Sequence, residues 1–274
     1  MKNYLIDTHA HLDFPELSTR LDEVLSNALK NDVKRIVTIS TNLNKIGKII
    51  EISENHQEVF HTVGIHPNEV LKDKNNSNYE MILNLSKNKK CVGIGECGLD
   101  YHYGKDSKVE QKASFITQIE VARATSLPLI IHARDADKDM IEILENEYKN
   151  GPFKAILHCF SSGEELAYCG LDLDFFISFS GIITFNSAKN IQKIAKNIPL
   201  DQTVKWLTSI APQGLIEFVP KNDITVQKML TLKGDIFNDY NEENFKKLLK
   251  KNSEIISEIQ VSDSGRKIFE FKRN

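Results

Sequence analysis

The chain has 274 residues, 41% of them hydrophobic and 27% charged, and its 35 basic and 38 acidic residues give a formal net charge of −3. That is enough chain for a substantial core, and the balanced charge excludes a basic coat that binds nucleic acid by charge alone; a bound metal would still supply local positive charge for a phosphodiester. The four cysteines at 91, 97, 159 and 169 lack CxxC spacing, and no basic-then-apolar leader or long apolar run occurs, so reduced packing thiols and a cytoplasmic, non-membrane protein are expected.

From residue 1 to about 200, short β-branched runs alternate with longer amphipathic segments, the pattern of βα units around a parallel sheet. Strands are predicted at 4–7, 35–39, 60–64, 92–95, 129–132, 155–158 and 175–179. Helices are predicted between them at 16–31, where Leu21, Val24, Leu25 and Ala28 keep helical spacing, and at 44–55, 78–88, 109–126, 138–148 and 188–196. Seven strands of this kind point to a TIM-type (β/α) barrel, whose active site lies at the C-terminal strand ends.

The chemistry-bearing residues fall at those ends. His9 and His11 close the first strand, where positions two apart share a face, so Asp7, His9 and His11 point one way. Alone, a His-x-His pair is a weak signal. His66 follows the third strand, Glu96 ends the fourth, His132 the fifth and His158 the sixth, and such a series is hard to obtain by chance. Imidazole nitrogens with one carboxylate suit zinc, manganese or a similar divalent ion, and a carboxylate set between two ions can bridge them. This is the layout of a two-metal hydrolase.

The segments carrying these residues are Thr8-His9-Ala10-His11-Leu12-Asp13, Gly64-Ile65-His66-Pro67, Gly93-Ile94-Gly95-Glu96-Cys97-Gly98-Leu99-Asp100-Tyr101, Pro128-Leu129-Ile130-Ile131-His132-Ala133-Arg134, Leu157-His158-Cys159-Phe160-Ser161 and Ile177-Ser178-Phe179-Ser180-Gly181. In this order they resemble the signatures of the TatD family of metal-dependent deoxyribonucleases, amidohydrolase-like TIM barrels, over residues 4–201. The resemblance implies two divalent ions (Mg, Mn or Zn), one held by His9, His11 and Glu96 and the other by Glu96, His132 and His158. It also implies DNA as substrate, cleaved at phosphodiesters and often from a 3′ end, with Glu96, His132 and His158 in the catalytic group. His66, before Pro67, is expected at the substrate mouth. Arg134 is expected on a phosphate, and Asp100 and Tyr101 in substrate contact or supporting the ligands. His56 and His61 are read as structural.

The resemblance stops near Asn197-Ile198-Pro199-Leu200-Asp201. Family members continue into an eighth strand with Glu-Thr-Asp, then Pro-Tyr-Leu, and that Asp binds metal and orients water. Here the chain runs Gln202-Thr203-Val204-Lys205-Trp206-Leu207, and neither motif occurs. Residues 202–274 form a second, atypical α+β segment: helices at 202–210, 225–232 and 242–250, a strand at 214–219, and a terminal hairpin of 254–261 and 266–271. Through Trp206-Leu207-Thr208-Ser209-Ile210-Ala211-Pro212 and Val261-Ser262-Asp263-Ser264-Gly265-Arg266 it resembles the end of a class I S-adenosylmethionine-dependent methyltransferase. The glycine-rich cofactor loop of such a domain is absent, so no methyl transfer is inferred. Seven parallel strands leave two unpaired edges, and residues 214–219 are the apolar run placed to fill the gap, which makes Glu217 the candidate for the lost Asp. The chain is read as a monomeric DNA hydrolase. Two readings stay open beside it: a hydrolase of a small amide, lactone or phosphoester, or a non-enzymatic chimera of barrel and methyltransferase remnant.

Overall fold

The computed structural model describes residues 4–73, 78–196, 200–210, 212–224, 226–227, 230 and 239–274. The helix predicted at 225–232 lies mostly outside them. The chain divides into two compact units, Met1–Ile194 and Ala195–Asn274.

The first unit is an α/β structure built on one parallel sheet. Its strands are β1 (Leu5–Ala10), β2 (Val33–Thr38), β3 (Val59–Val63), β4 (Cys91–Asp100), β5 (Leu129–Arg134), β6 (Ala155–Leu157) and β7 (Phe176–Ile177). Their order in the sheet is their order in sequence, each parallel to the next. This is the TIM-type arrangement expected, because a helical crossover returns the chain to the same end of the neighbouring position each time. Among the described residues β1 pairs with β2 and β7 with β6, so the sheet has two open ends.

The helices are α1 (Pro15–Ser18), α2 (Leu21–Lys30), α3 (Ile46–Asn55), α4 (Tyr79–Ser86), α5 (Lys108–Thr125), α6 (Asp137–Asn150), α7 (Glu164–Asp172) and α8 (Lys189–Lys196). The single helix predicted at 16–31 is two. The backbone of Arg20 leaves helical space at φ −135°, ψ 38°, and Thr19 Oγ1 donates back to the Pro15 carbonyl at 2.8 Å. Helix α7 was not expected. It buries Leu166, Ala167 and Gly170, and a Cβ at Gly170 would stand 2.7 Å from Leu157 Cδ1, so the residue that weakens the helical signal is the one the packing requires.

The main core lies between the sheet and these helices, with Ile94, Leu99, Phe115, Ile119, Leu129 and Ile131 fully buried. Two buried amides on α5 reach across it to hold strand ends. Gln118 Oε1 accepts from Ile65 N at 2.9 Å while its Nε2 donates to the Ile65 carbonyl at 3.1 Å, beside His66. Gln111 does the same for Asp100, at 2.8 and 3.1 Å. These pairs satisfy backbone groups where the sheet ladder ends.

The second unit contains α9 (Leu200–Ile210), β8 (Gln213–Phe218), α10 (Glu242–Asn252), β9 (Ser253–Gln260) and β10 (Lys267–Arg273). Its strands form an antiparallel sheet in the order β8-β10-β9 around Val204, Ile216, Phe218, Phe245, Leu249, Phe269 and Phe271. This corrects the eighth-strand expectation. Residues 214–219 do form a strand, but β8 pairs with β10 rather than with the parallel sheet, and Glu217 is exposed with its carboxylate 3.6 Å from Arg266 Nη1. Glu217 is therefore an ion-pair partner within the second unit rather than a residue of an eighth parallel strand. All four cysteines are free, and among the described residues no helix is long and apolar enough to cross a membrane.

Candidate metal centre

Glu96 is the centre of the site. It is 4% exposed and sits on β4, where the pairing with β5 steps from Gly95↔Ile130 to Cys97↔Ile131. Glu96 is thus the extra residue of a bulge, which turns its side chain out of the regular alternation. Its N–H donates to the Ser40 carbonyl at 2.8 Å, and Ser40 Oγ donates to the Gly64 carbonyl at 2.9 Å, so the bulge is tied to the ends of β2 and β3. Glycines make this crowding possible. A Cβ on Gly64 would lie 2.4 Å from Gly95 Cα, and one on Gly98, at φ +127°, would lie 2.1 Å from the His132 carbonyl oxygen.

Imidazoles surround the carboxylate. His132 Nδ1 is 3.1 Å, His158 Nε2 3.6 Å and His66 Nε2 3.7 Å from Glu96 Oε1, and His9 Nε2 is 3.4 Å from Oε2. His9 stacks flat on His158, centroids 3.5 Å apart and 3° between planes, and meets His11 edge-on at 5.1 Å. β1 ends at Ala10, and the Ala10 carbonyl accepts from Ile39 N at 2.8 Å while Leu12 N donates to Thr38 Oγ1 at 3.2 Å. Those two bonds fix the backbone on either side of His11.

The electrostatics suit a cation. Burial pushes His66 and His158 down to about 4 and also lowers His11, so these rings are neutral at pH 7 with lone pairs available. Burial opposes charge on Glu96, yet hydrogen bonds from His132 and His9 hold its carboxyl well below the usual carboxylate range. For His132 burial likewise opposes the charged form, but Glu96 and Asp100 outweigh it and raise its pKa. Two sets of donors, His9, His11 and Glu96, and His66, Glu96 and His132, each gather within 4.8 Å. This donor chemistry fits a divalent metal ion, with Glu96 common to both sets.

The five ligands expected from the sequence, His9, His11, Glu96, His132 and His158, thus come together. His66, expected at the substrate mouth, lines the same cleft and also stands beside the ligands, its Nε2 3.7 Å from Glu96 Oε1. Of the two roles expected for Asp100, substrate contact or support of the ligands, its surroundings fit the second. It is 1% exposed and away from the cleft wall, and its Oδ2 meets His132 Nε2 at 3.1 Å and accepts from Asn68 Nδ2 at 3.1 Å. Its Oδ1 accepts from the His102 and Tyr103 amides at 3.0 and 2.9 Å. A carboxylate so engaged cannot contact substrate; it takes one ring nitrogen of His132 and leaves Nδ1 for the centre. Tyr101 is also no substrate contact, being buried with its hydroxyl donating to Asp139 Oδ2 at 2.6 Å. Arg134 does line the cleft, its guanidinium 4.8 Å from the Tyr103 ring centroid.

The histidines and Glu96 share a cleft of about 1330 Å³ whose lining also includes the polar Arg134, Ser161 and Ser162 and the apolar Phe14, Ile182 and Ile191. A barrel-type parallel sheet with a carboxylate and histidines converging at its C-terminal strand ends defines a metal-dependent hydrolase. A family model described as TatD related DNase matches residues 6–204. The chain is 37% identical over 198 residues to the uncharacterized metal-dependent hydrolase YabD of Bacillus subtilis, covering 72% of this chain and 77% of that one. It is 36% identical over 202 residues to the uncharacterized metal-dependent hydrolase YcfH of Escherichia coli, covering 73% and 75%. Among solved structures, the TatD homolog YJJV from E. coli superposes with a TM-score of 0.65 at 26% identity, over 72% of this chain and 76% of that one. A TatD family hydrolase from Entamoeba histolytica gives 0.64 at 26%, over 74% and 72%. The chain belongs to the TatD family of metal-dependent hydrolases.

Proposed function

We propose that this protein hydrolyses phosphodiester bonds of DNA, removing nucleotides from a 3′ end, with two divalent ions for which Glu96 would be a common ligand. The observation that supports this reading is that one buried carboxylate, Glu96, is shared by two donor sets. The family description, TatD related DNase, points to the same substrate. Bound divalent ions supply a water ionised at neutral pH and positive charge for phosphoryl oxygens.

The chain's own residues do the rest. Glu96 would be shared by the two ions, His9 and His11 would help to hold one, and His132 and His158, with His66 beside them, would help to hold the other. Asp100 keeps His132 in the ring orientation that presents Nδ1. The rings of His11, His66 and His158, kept neutral by burial, have no proton to lose before they can donate. Arg134 on the cleft wall offers a planar fork to a backbone phosphate. The sequence carries no counterpart of the family's final Asp, and because positioned proton transfer commonly contributes about 10²-fold or more, turnover is expected to be slow.

Incubation with 3′-labelled single-stranded DNA and Mg²⁺ or Mn²⁺ tests the proposal. Metal-dependent shortening that disappears in His132→Ala is the expected result. No shortening, or shortening unchanged in that variant, sinks it, and hydrolysis of small esters or lactones but not DNA would replace it with the small-substrate reading.

A further inference from the structure

Phe14 stands at the edge of the metal centre without a core role. Its side chain lines the cleft and is 42% exposed. One face of its ring lies against His11, centroids 4.7 Å apart and 21° between planes. The backbone that carries it is held by hydrogen bonds. Phe14 N donates to the His11 carbonyl at 3.1 Å, and the Phe14 carbonyl accepts from Leu17 N and Ser18 N at 3.0 and 2.8 Å as α1 begins. Lys48 Nζ fastens the same segment to α3 by donating to the Asp13 carbonyl and to Ser18 Oγ, each at 2.8 Å. Leu12, two residues earlier, is fully buried. The ring is therefore held at a set place beside a candidate ligand, with much of its surface left open.

We infer that Phe14 is a stacking platform for a nucleobase beside the scissile phosphate, a role that rests on the DNA reading above. The reasoning is geometric and chemical. A single exposed apolar residue is ordinary on a protein surface, but this one shares a cleft wall with the donors that would hold the reacting phosphate. Every base has a π-face, so a flat, rigid ring takes any of them without choosing sequence. The ring suits a base rather than a phosphate, and Arg134 on the same cleft suits the phosphate. Together they would seat a single strand, Arg134 on its backbone and Phe14 on its terminal base. A platform of this kind selects for a base being present, not for which base.

The test uses the metal-loaded full chain and single-stranded oligonucleotides whose 3′-terminal linkage is a non-hydrolysable phosphonate. Two probes carry 2-aminopurine at one or the other nucleotide flanking that linkage. Wild-type protein is expected to quench the fluorescence of at least one probe on binding. Phe14→Ala should abolish the quenching and weaken binding by about 5- to 100-fold, the range of single base–aromatic contacts. Phe14→Trp should restore both. Phe14→Leu, which keeps apolar bulk without a π-face, should behave like Phe14→Ala and guards against a folding defect. Binding without quenching by wild type, no binding of either probe, or Phe14→Leu behaving as wild type would overturn the inference. Shortening of ordinary DNA without quenching leaves the nuclease reading intact and removes the platform, whereas quenching without any hydrolysis keeps the platform and removes the nuclease.

Discussion

His132 is gripped at both ends of its ring, Nδ1 facing Glu96 and Nε2 facing Asp100, each at 3.1 Å. Asp100 should therefore act on the metal through His132 without touching it. Replacing Asp100 with Asn keeps size and an acceptor oxygen but removes the charge that favours one tautomer, and metal affinity is expected to fall about 10- to 100-fold. Calorimetric titration of the metal-free protein with Mn²⁺ or Zn²⁺ measures this, and equal affinities would show that Asp100 only supports the loop after β4. A different histidine governs stability. His61 on β3 is fully buried with Nδ1 2.7 Å from Ser53 Oγ, and burial lowers its pKa from 6.5 to about 4. Between those values the unfolded chain binds the proton and the folded chain does not, so the stability this residue confers is complete above about pH 6.5 and lost as pH falls towards 4. The loss is on the order of 3 kcal/mol at most. Denaturant unfolding in EDTA should show a shallower decline from pH 7 to 4.5 for His61→Gln than for wild type, and parallel declines would contradict the assignment.

At the level of elements, the site depends on how closely β3, β4 and β5 approach. A methyl group at Gly98 would overlap the His132 carbonyl, at 2.1 Å, on a backbone at φ +127° that other residues rarely adopt. Gly98→Ala is expected to cost about 3 kcal/mol or more and to displace His132, so that metal binding falls together with the urea midpoint. Retained metal affinity at wild-type stability would mean the two strands separate cheaply. None of this was legible beforehand. The seven parallel strands could be read because each is a compact apolar run, and the ligands could be read because they sit one after another at strand ends. The bulge at Glu96 could not, since β4 was expected over 92–95 and runs over Cys91–Asp100, its polar and glycine-rich second half reading as a loop. Nor could Gln111 and Gln118, because a buried amide on a helix leaves no periodic trace; its partners are the backbone of other elements. Residues 214–219 misled for a related reason. An alternating apolar run fits a parallel or an antiparallel neighbour equally, and only the register with β10 and the Arg266 partner of Glu217 decide between them.

On the scale of the whole molecule, the chain carries more than one core. Every residue of the cluster around Phe269 belongs to Ala195–Asn274, and every candidate metal ligand belongs to Met1–Ile194. Phe269 is fully buried, its ring 5.4 Å from that of Phe245 with Lys246 Nζ 5.4 Å above it. Truncating a buried Phe to Ala costs about 3 to 5 kcal/mol through lost transfer energy and the cavity left behind. Total stability runs at roughly 0.05 to 0.15 kcal/mol per residue, about 4 to 12 kcal/mol for a unit of this size, so that loss removes a large share of it. Phe269→Ala should therefore unfold the second unit under conditions where wild type is intact, seen as rapid proteolysis within residues 195–274 and loss of a calorimetric transition. Metal stoichiometry measured on the same sample should remain that of wild type, because none of the groups that hold the ion lies in the unfolded part. Loss of bound metal in step with the proteolysis would instead show that the second unit is needed to keep the histidines gathered around Glu96.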